Sequence, residues 1–349
     1  MHHRRVRCVA ISLSLVIASA APAQEPVRMP RVWSSSGTQY ANTDSLAAAR
    51  TPAGVRLFAT SKDGHRVDVF DAATGKHTSA YGRQGAEPGQ FNRPNGIVTV
   101  EFRAAQGEPA RAAVLVVERD NRRIQALWAD TLSFAGIFAA GELTKPYGCA
   151  VSYRDGAALL YVTDTEVTPE QTVRVYRLRQ NGELISAELA STFGEKDGPG
   201  RIVLAESVVV DDRNQRVFLC DEDPGQKNVK VYDASGRFTG RVIGGGMVQG
   251  DPEGVVVLDS AAGGLFILTD QRPQLSLWHV FDRARLEPIG TFTGERKIAN
   301  TDGIAVFAGE LPGFPRGGFF AVDDDADIHA FDLGAIVARF TGAATPVKP

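Results

Sequence analysis

Acidic side chains recur beside short apolar segments in the second half of this sequence. Glu206, Glu253 and Asp302 each follow a turn and begin such a segment, and Asp221-Glu222-Asp223 ends another. Carboxylates that converge from separate segments repel one another unless a cation lies among them. Oxygen donors without histidine favour calcium or magnesium, and a wide site with several carboxylates suits calcium better. The acidic residues therefore predict a calcium site.

Other catalytic chemistries have little support in the sequence. Beyond the amino-terminal segment, the histidines are isolated, and they are His65, His77, His279 and His329. The alternating pattern around His329 is typical of an exposed strand residue. The chain has no G-x-S-x-G elbow, no H-E-x-x-H pair and no P-loop, and Cys149 has no phosphate-binding glycine loop after it. A metal-activated water is therefore the most economical nucleophile.

A pattern of three parts repeats six times and would position these residues. A turn with a short strand is clear at 94–98, 146–150, 205–209, 252–256 and 301–305, and weak in the earliest copy. An apolar strand that ends in polar residues follows at 57–62, 115–119, 160–164, 217–222, 266–270 and 319–323. An alternating strand comes third, at 67–71, 124–127, 173–176, 229–233, 275–278 and 328–332.

Three to four strands in each of six repeats predict an all-β fold, a six-bladed β-propeller. We expect the propeller to span residues 44–349, and residues 24–43 to form an amino-terminal segment in which a strand near 32–41 closes the ring. Six large side chains occupy equivalent repeat positions and are predicted to be core residues: Phe70, Leu127, Tyr176, Tyr232, Trp278 and Phe331. Asp71, Asp233 and Asp332 end the third strands and are predicted to make turn hydrogen bonds.

The innermost strands of a propeller line a central channel, so the starts of first strands and the ends of second strands converge near its axis. These positions hold Lys62, Glu118, Arg119, Tyr147, Asp164, Glu206, Asp221, Glu222, Asp223, Glu253, Asp270 and Asp302. We expect all of them at one mouth of the channel. Lys62, Arg119 and Arg272 would there meet anionic oxygens of a substrate.

Several of these segments resemble the calcium-dependent β-propeller phytases. Residues 206–212 and 220–223 resemble the E-G-x-x-x-D-D and E-E-D motifs of that family, and 252–255 resemble its I-E-G-L. Residues 300–304 are similar to its D-T-D-G-I, 147–148 to its Y-G, and 60–62 to its T-N-K. The resemblance extends over roughly residues 44–332.

The resemblance implies a phosphomonoester hydrolase for myo-inositol hexakisphosphate (phytate) or a smaller organic phosphate. It implies that calcium is held by Glu206, Glu222, Glu253, Asp302 and Asp44. It implies catalytic roles for Glu222 and Tyr147, and substrate-phosphate binding by Lys62 and Arg119. The chain departs from the family where further lysines are expected, because Asp63 follows Lys62 and Thr165 stands in the third blade.

A second class of function remains open. Residues 89–96 and 121–125 resemble NHL-repeat propellers, whose members often only bind partners. A fold by itself does not carry an activity. The alternatives are therefore a non-catalytic propeller that binds a partner and a calcium-dependent lactonase-type propeller.

The amino terminus has the features of a secretory signal. Arginines precede an apolar run, and Ala21-Pro22-Ala23 offers a cleavage site, so we expect residues 1–23 to be removed and the product to be secreted or periplasmic. The remaining 35 basic and 41 acidic side chains make nucleic acid or a membrane a poor partner, and we expect a monomer. Cys149 and Cys220 are predicted to be buried thiols, with a disulfide between them as the alternative.

Overall fold

The computed structural model describes residues 25–35, 42–102, 110–260, 263–342 and 347–348, and it is a six-bladed β-propeller. The predicted fold class is thereby confirmed. The expected signal segment, residues 1–23, lies outside the described residues. Within the described ranges, no helix has the length and apolar character needed to cross a membrane.

Each blade is an antiparallel sheet whose strands follow one another along the chain, from the axis outwards. Two short strands, β1 (Val27–Met29) and β2 (Arg31–Ser34), precede the first blade. Blade one contains β3 (Thr43–Thr51), β4 (Gly54–Ser61), β5 (Arg66–Asp71) and β6 (His77–Tyr81). Blade two contains β7 (Pro94–Phe102), β8 (Arg111–Glu118), β9 (Arg123–Trp128) and β10 (Phe134–Phe138). Blade three contains β11 (Lys145–Arg154), β12 (Ala157–Thr165), β13 (Val173–Asn181) and β14 (Leu184–Phe193), with a 3₁₀ turn at Pro169–Gln171.

The second half of the ring repeats this order. Blade four contains β15 (Ala205–Asp211), β16 (Arg216–Asp221), β17 (Asn228–Asp233) and β18 (Phe238–Ile243). Blade five contains β19 (Asp251–Ser260), β20 (Leu265–Gln271), β21 (Leu277–Asp282) and β22 (Pro288–Gly294). Blade six contains β23 (Ile304–Phe307), β24 (Gly318–Asp323) and β25 (Asp327–Asp332). The chain continues into helix α1 (Leu333–Thr341) and a two-residue strand, β26 (Val347–Lys348), beside β19.

The apolar core lies between the blades. Six buried clusters each combine side chains from two neighbouring blades, and the cluster between blades six and one completes the circle. The six large side chains predicted as core residues are all at most 2% exposed. Their burial is confirmed, because alternation along the third strand directs them between two sheets.

The amino-terminal segment closes the ring. Strand β2 pairs antiparallel with β25 as the outer strand of blade six, and β1 runs parallel to β22 in blade five. The Trp33 side chain links two blades, because its ring lies 5.7 Å from that of Phe320 and its Nε1 donates to the Ala72 carbonyl of blade one at 3.2 Å. Of the range in which a closing strand was expected, residues 36–41 lie outside the described residues.

Turn hydrogen bonds end the third strands as predicted. Asp71 accepts from the Thr74 backbone at 2.9 Å, and Asp233 accepts from Ser235 at 2.9 Å. Asp332 instead begins helix α1, where its side chain accepts from the Ala335 backbone. The same residue type thus serves as a turn former in two blades and as a helix N-cap in the last.

Candidate metal centre

One residue from each blade stands at or just before the start of the innermost strand, and together these residues form a ring around the channel mouth. In blade order, the ring residues are Asp44, Asn95, Tyr147, Glu206, Glu253 and Asp302. Each is followed by a glycine or serine that lines a channel of about 80 Å³. A side chain at Gly148 would clash with the Glu206 carbonyl, and one at Gly303 with the Asp44 carbonyl. These small residues therefore let neighbouring ring positions approach closely.

Three glutamates from blades four and five meet at this mouth. Carboxylate oxygens of Glu206, Glu222 and Glu253 all lie within 4.8 Å of one another. Glu222 follows the end of β16, and its backbone N–H donates to the Leu204 carbonyl at 3.0 Å. The antiparallel pairing of β15 with β16 therefore brings Glu206 and Glu222 to the same end of the blade.

Crowding and burial change the acidity of these groups. Burial, followed by the nearby Glu222 and Asp44 carboxylates, raises the pKa of Glu206 well above its usual range. Burial, the charge of Glu206 and a hydrogen bond with Glu222 raise the pKa of Glu253 in the same direction. Burial, Asp44 and a hydrogen bond with Asp325 raise the pKa of Asp302 to about 9. A bound cation would relieve this repulsion.

Lys62 is an internal cation of the cluster. Its ammonium group forms an ion pair with Asp44, whose side chain is 4% exposed. Burial opposes the charge of Lys62, but Asp44, Asp302 and Glu206 together raise its pKa above the usual value. The charge of Lys62 therefore attracts carboxylates from three blades: Asp44 of blade one, Glu206 of blade four and Asp302 of blade six.

Tyr147 and Arg119 lie on the blade-two and blade-three side of the mouth. The guanidinium carbon of Arg119 is 6.0 Å from the centre of the Tyr147 ring. Arg119 Nε donates to Asp120 at 3.0 Å, and its side chain is 26% exposed. Both residues predicted to act on substrate at this side are thus adjacent to each other, and Arg119 remains accessible.

Four acids that were expected in the cluster serve the fold instead, which corrects that part of the prediction. Asp164 accepts from the backbone of Thr144 and Lys145 and pairs with Arg174 at 3.0 Å. Asp221 accepts from Val203 and Leu204 and pairs with Lys230. Glu118 and Asp270 are arranged in the same way, and they pair with Arg123 and His279 respectively. Each of these carboxylates is buried and anchors the loop that leads into its own blade.

Three further expectations change, and one alternative is excluded. Asp223 forms a turn, accepting from the Gly225 backbone at 3.0 Å, and Arg272 is paired with Asp270 rather than free for a substrate. His329 is 3% exposed, not exposed as its strand pattern suggested, because β2 covers it and Arg31 Nη1 lies 2.8 Å from its Nε2. Cys149 and Cys220 are free thiols, so the disulfide alternative is wrong.

Three polar residues near the ring were not predicted as site residues. Asn95 holds the ring position of blade two, Gln271 donates to Asp302 at 2.6 Å, and Asp325 hydrogen-bonds the same carboxyl group. Asn95 stands between Pro94 and Gly96, as Tyr147 stands between Pro146 and Gly148. Alignment of the repeats could therefore have identified Asn95, whereas the role of Gln271 depends on a contact between blades five and six and that of Asp325 on a contact within blade six.

The donor set suits calcium. Its ligands would be carboxylate oxygens, and calcium takes about six to eight oxygens in flexible geometry. Every histidine of the described ranges is engaged elsewhere: His65 with the Arg93 backbone, His77 with Asp68, His279 with Asp270, and His329 with Arg31. Zinc, which favours nitrogen and sulfur ligands, fits this set less well.

Comparisons with known proteins show the fold alone. No protein-family model matches the chain, and no curated protein is similar to it in sequence. Among solved structures, a luciferin-regenerating enzyme has a TM-score of 0.52 at 13% identity, over 84% of this chain and 92% of that one. The BBS1N protein, solved in complex with ARL6DN, has a TM-score of 0.47 at 10% identity, over 88% of this chain and 98% of that one.

Proposed function

We propose that the chain is a calcium-dependent phosphomonoester hydrolase that acts on phytate or a smaller organic phosphate. The observation that carries this proposal is the convergence of Glu206, Glu222 and Glu253 within 4.8 Å, with Asp44 and Asp302 close enough to raise the pKa of Glu206. A propeller that only binds partners has no evident need for buried and half-buried carboxylates held so close together. Their mutual repulsion lowers stability unless a cation is bound.

The residues of the mouth divide into two sets with distinct roles in this proposal. Glu206, Glu222, Glu253, Asp302 and Asp44 would hold calcium. When bound, calcium supplies positive charge to phosphate oxygens and makes water more acidic. Glu222 is suited to accept a proton from the attacking water, because it is hydrogen-bonded within the cluster and is only half-buried.

The second set would bind the phosphate. Arg119 offers planar N–H donors that match phosphate oxygens, and Tyr147 beside it offers a phenol. Lys62 adds positive charge from the blade-one side, although its ion pair with Asp44 limits its freedom. A phosphate between Arg119 and the glutamates would face cations on one side and the metal centre on the other.

A comparison of substrates tests the proposal against its alternatives. With calcium present, the purified protein should release inorganic phosphate from phytate or from p-nitrophenyl phosphate and should leave a simple δ-lactone intact. Lactone hydrolysis without phosphate release would favour the lactonase-type alternative. Activity on neither class, with calcium still bound, would favour a propeller that binds partners.

A further inference from the structure

Two consecutive apolar side chains are exposed at the mouth that holds the metal centre. Val203 is 47% exposed and Leu204 is 39% exposed, and Leu204 stands two positions before Glu206. Two extended residues span at most about 7 Å, so the backbone of Leu204 lies close to that of Glu206. The Leu204 carbonyl also accepts from the Glu222 backbone at 3.0 Å. The apolar pair is therefore adjacent to two of the three clustered glutamates.

The position of this pair distinguishes it from the other exposed large apolar residues. Single exposed apolar side chains are ordinary on a protein surface. Within the described ranges, the others lie on outer strands or at the far end of an innermost strand, and they are Val32, Leu184, Leu189, Val242, Ile289 and Tyr153. Val203 and Leu204 are therefore the large apolar side chains that a ligand at the metal centre could reach.

The position equivalent to Leu204 holds a polar residue in every other blade, and that residue contacts a polar neighbour. In blade order, these residues, two before each ring position, are Asn42, Arg93, Lys145, Asp251 and Asn300. The first two contact Asp63, and the other three contact Glu166, Lys227 and Asp325 in that order. A leucine side chain can make no such contact. Blade four therefore presents apolar surface where the other blades present paired polar groups.

A buried anchor fixes the backbone that carries the pair. Asp221 accepts from the Val203 N–H at 3.0 Å and from the Leu204 N–H at 2.9 Å. Asp221 is itself paired with the buried Lys230. A ligand that covers Val203 and Leu204 would gain from the burial of apolar surface without first having to order this loop.

We propose that Val203 and Leu204 contact the alcohol part of the substrate, and that they favour phosphate esters whose alcohol is apolar. This inference rests on the proposed function and specifies the substrates that it prefers, smaller organic phosphates that carry an alkyl or aryl group. With the phosphate at the metal centre, an alcohol group that extends over blade four would cover both side chains. The carboxylates of Glu222 and Asp223 on this side would repel a further anionic group but not an uncharged alcohol.

The test compares kcat/KM in saturating calcium for hexyl phosphate, whose alcohol is apolar, and for glycerol 2-phosphate, whose alcohol is polar. Leu204→Ser and Val203→Ser should each lower the ratio of the two values about fourfold, the effect of losing roughly one buried methylene group of contact. Leu204→Met keeps an apolar side chain and should retain most of the ratio. Val242→Ser, which alters an exposed residue on the outer strand of the same blade, should leave the ratio unchanged.

An unchanged ratio in both serine variants would overturn the inference. If those variants instead abolished a self-association of the unaltered protein, measured by sedimentation, a second copy of the chain would be the occupant and the inference would be wrong. If the unaltered protein hydrolyses neither ester, the proposed function fails, and binding then tests the apolar contact. Calorimetric titration of the calcium-loaded protein with hexyl phosphate should show about fourfold weaker binding to Leu204→Ser than to the unaltered protein. Equal affinities, or no binding to either protein, would refute the contact independently of catalysis.

Discussion

Glu222 is the single residue on which the proposed chemistry depends most. Glu222→Gln keeps the volume and one carbonyl oxygen but removes the charge and the proton acceptor. We expect calcium-dependent phosphate release to fall by about a hundredfold or more, while the melting temperature changes little. Initial rates and a thermal melt of the same preparation measure both effects. The neighbouring Asp223→Asn, in a turn outside the cluster, is the matched control, and undiminished turnover in Glu222→Gln would refute the catalytic role.

Lys62 has a second role that its sequence motif did not reveal. Because Lys62 neutralises the buried Asp44, Lys62→Met leaves that carboxylate among other acids without a positive partner, although the Ser45 hydroxyl still donates to it. We expect the calcium-free protein to lose about 3 kcal/mol of folding free energy. Added calcium should restore more stability to this variant than to the unaltered protein, as urea titrations with and without calcium would show. An equal loss in both conditions would mean that calcium does not neutralise Asp44.

The shifted acids predict an unusual pH dependence for the metal-free protein. The pKa of Asp302 is about 9 in the folded state and near 4 when exposed, and those of Glu206 and Glu253 are raised in the same direction. The folded state thus binds more protons, so stability falls as pH rises from about 4 to 9. Melting temperatures in a chelator should show this decline. Saturating calcium should flatten it, and an equally steep decline with calcium would contradict the metal centre.

Strand β2 is the element that joins the two ends of the ring. Trp33→Ala should cost about 3 kcal/mol, the low end for aromatic truncation, because the side chain is half-buried between blades one and six. A fall of roughly 4 to 5 °C in melting temperature is expected for a domain of this length. Val32, its neighbour on the same strand, is 46% exposed, and Val32→Ala should have almost no effect. Equal melting temperatures for the two variants would show that β2 contributes little to closure.

The strand repeat predicts which acids converge at the channel mouth, but not which acids anchor loops. The repeat fixed Glu206, Glu253 and Asp302 at equivalent strand starts, so their convergence followed from the propeller alone. The repeat could not show that Asp164 and Asp221 anchor loops. That role depends on their pairing with Arg174 and Lys230, which lie on the third strand of the same blade, ten and nine residues further along the chain. The burial of His329 could not be predicted either, because strand β2, which covers it, comes from the other end of the chain.

The propeller as a whole holds mutually repelling acidic side chains at one mouth of its channel. Six interblade cores fix the innermost strands, and small residues after the ring positions allow their close approach. Fold similarity at 13% identity leaves the chemistry to the side chains. The proposed function therefore requires that the carboxylates at the mouth bind calcium and that the protein hydrolyse a phosphate ester.

The most direct test of the proposed function is phosphate release from phytate by the purified protein, measured across a calcium titration that starts in excess chelator. We predict no release in chelator, a rise that saturates with calcium, and a parallel gain in folding stability of about 2.7 kcal/mol at a hundredfold excess over the dissociation constant. Glu222→Gln should show the gain in stability without the release. Phosphate release that is indifferent to calcium, or a complete absence of release at calcium concentrations that stabilise the fold, would contradict the proposed function.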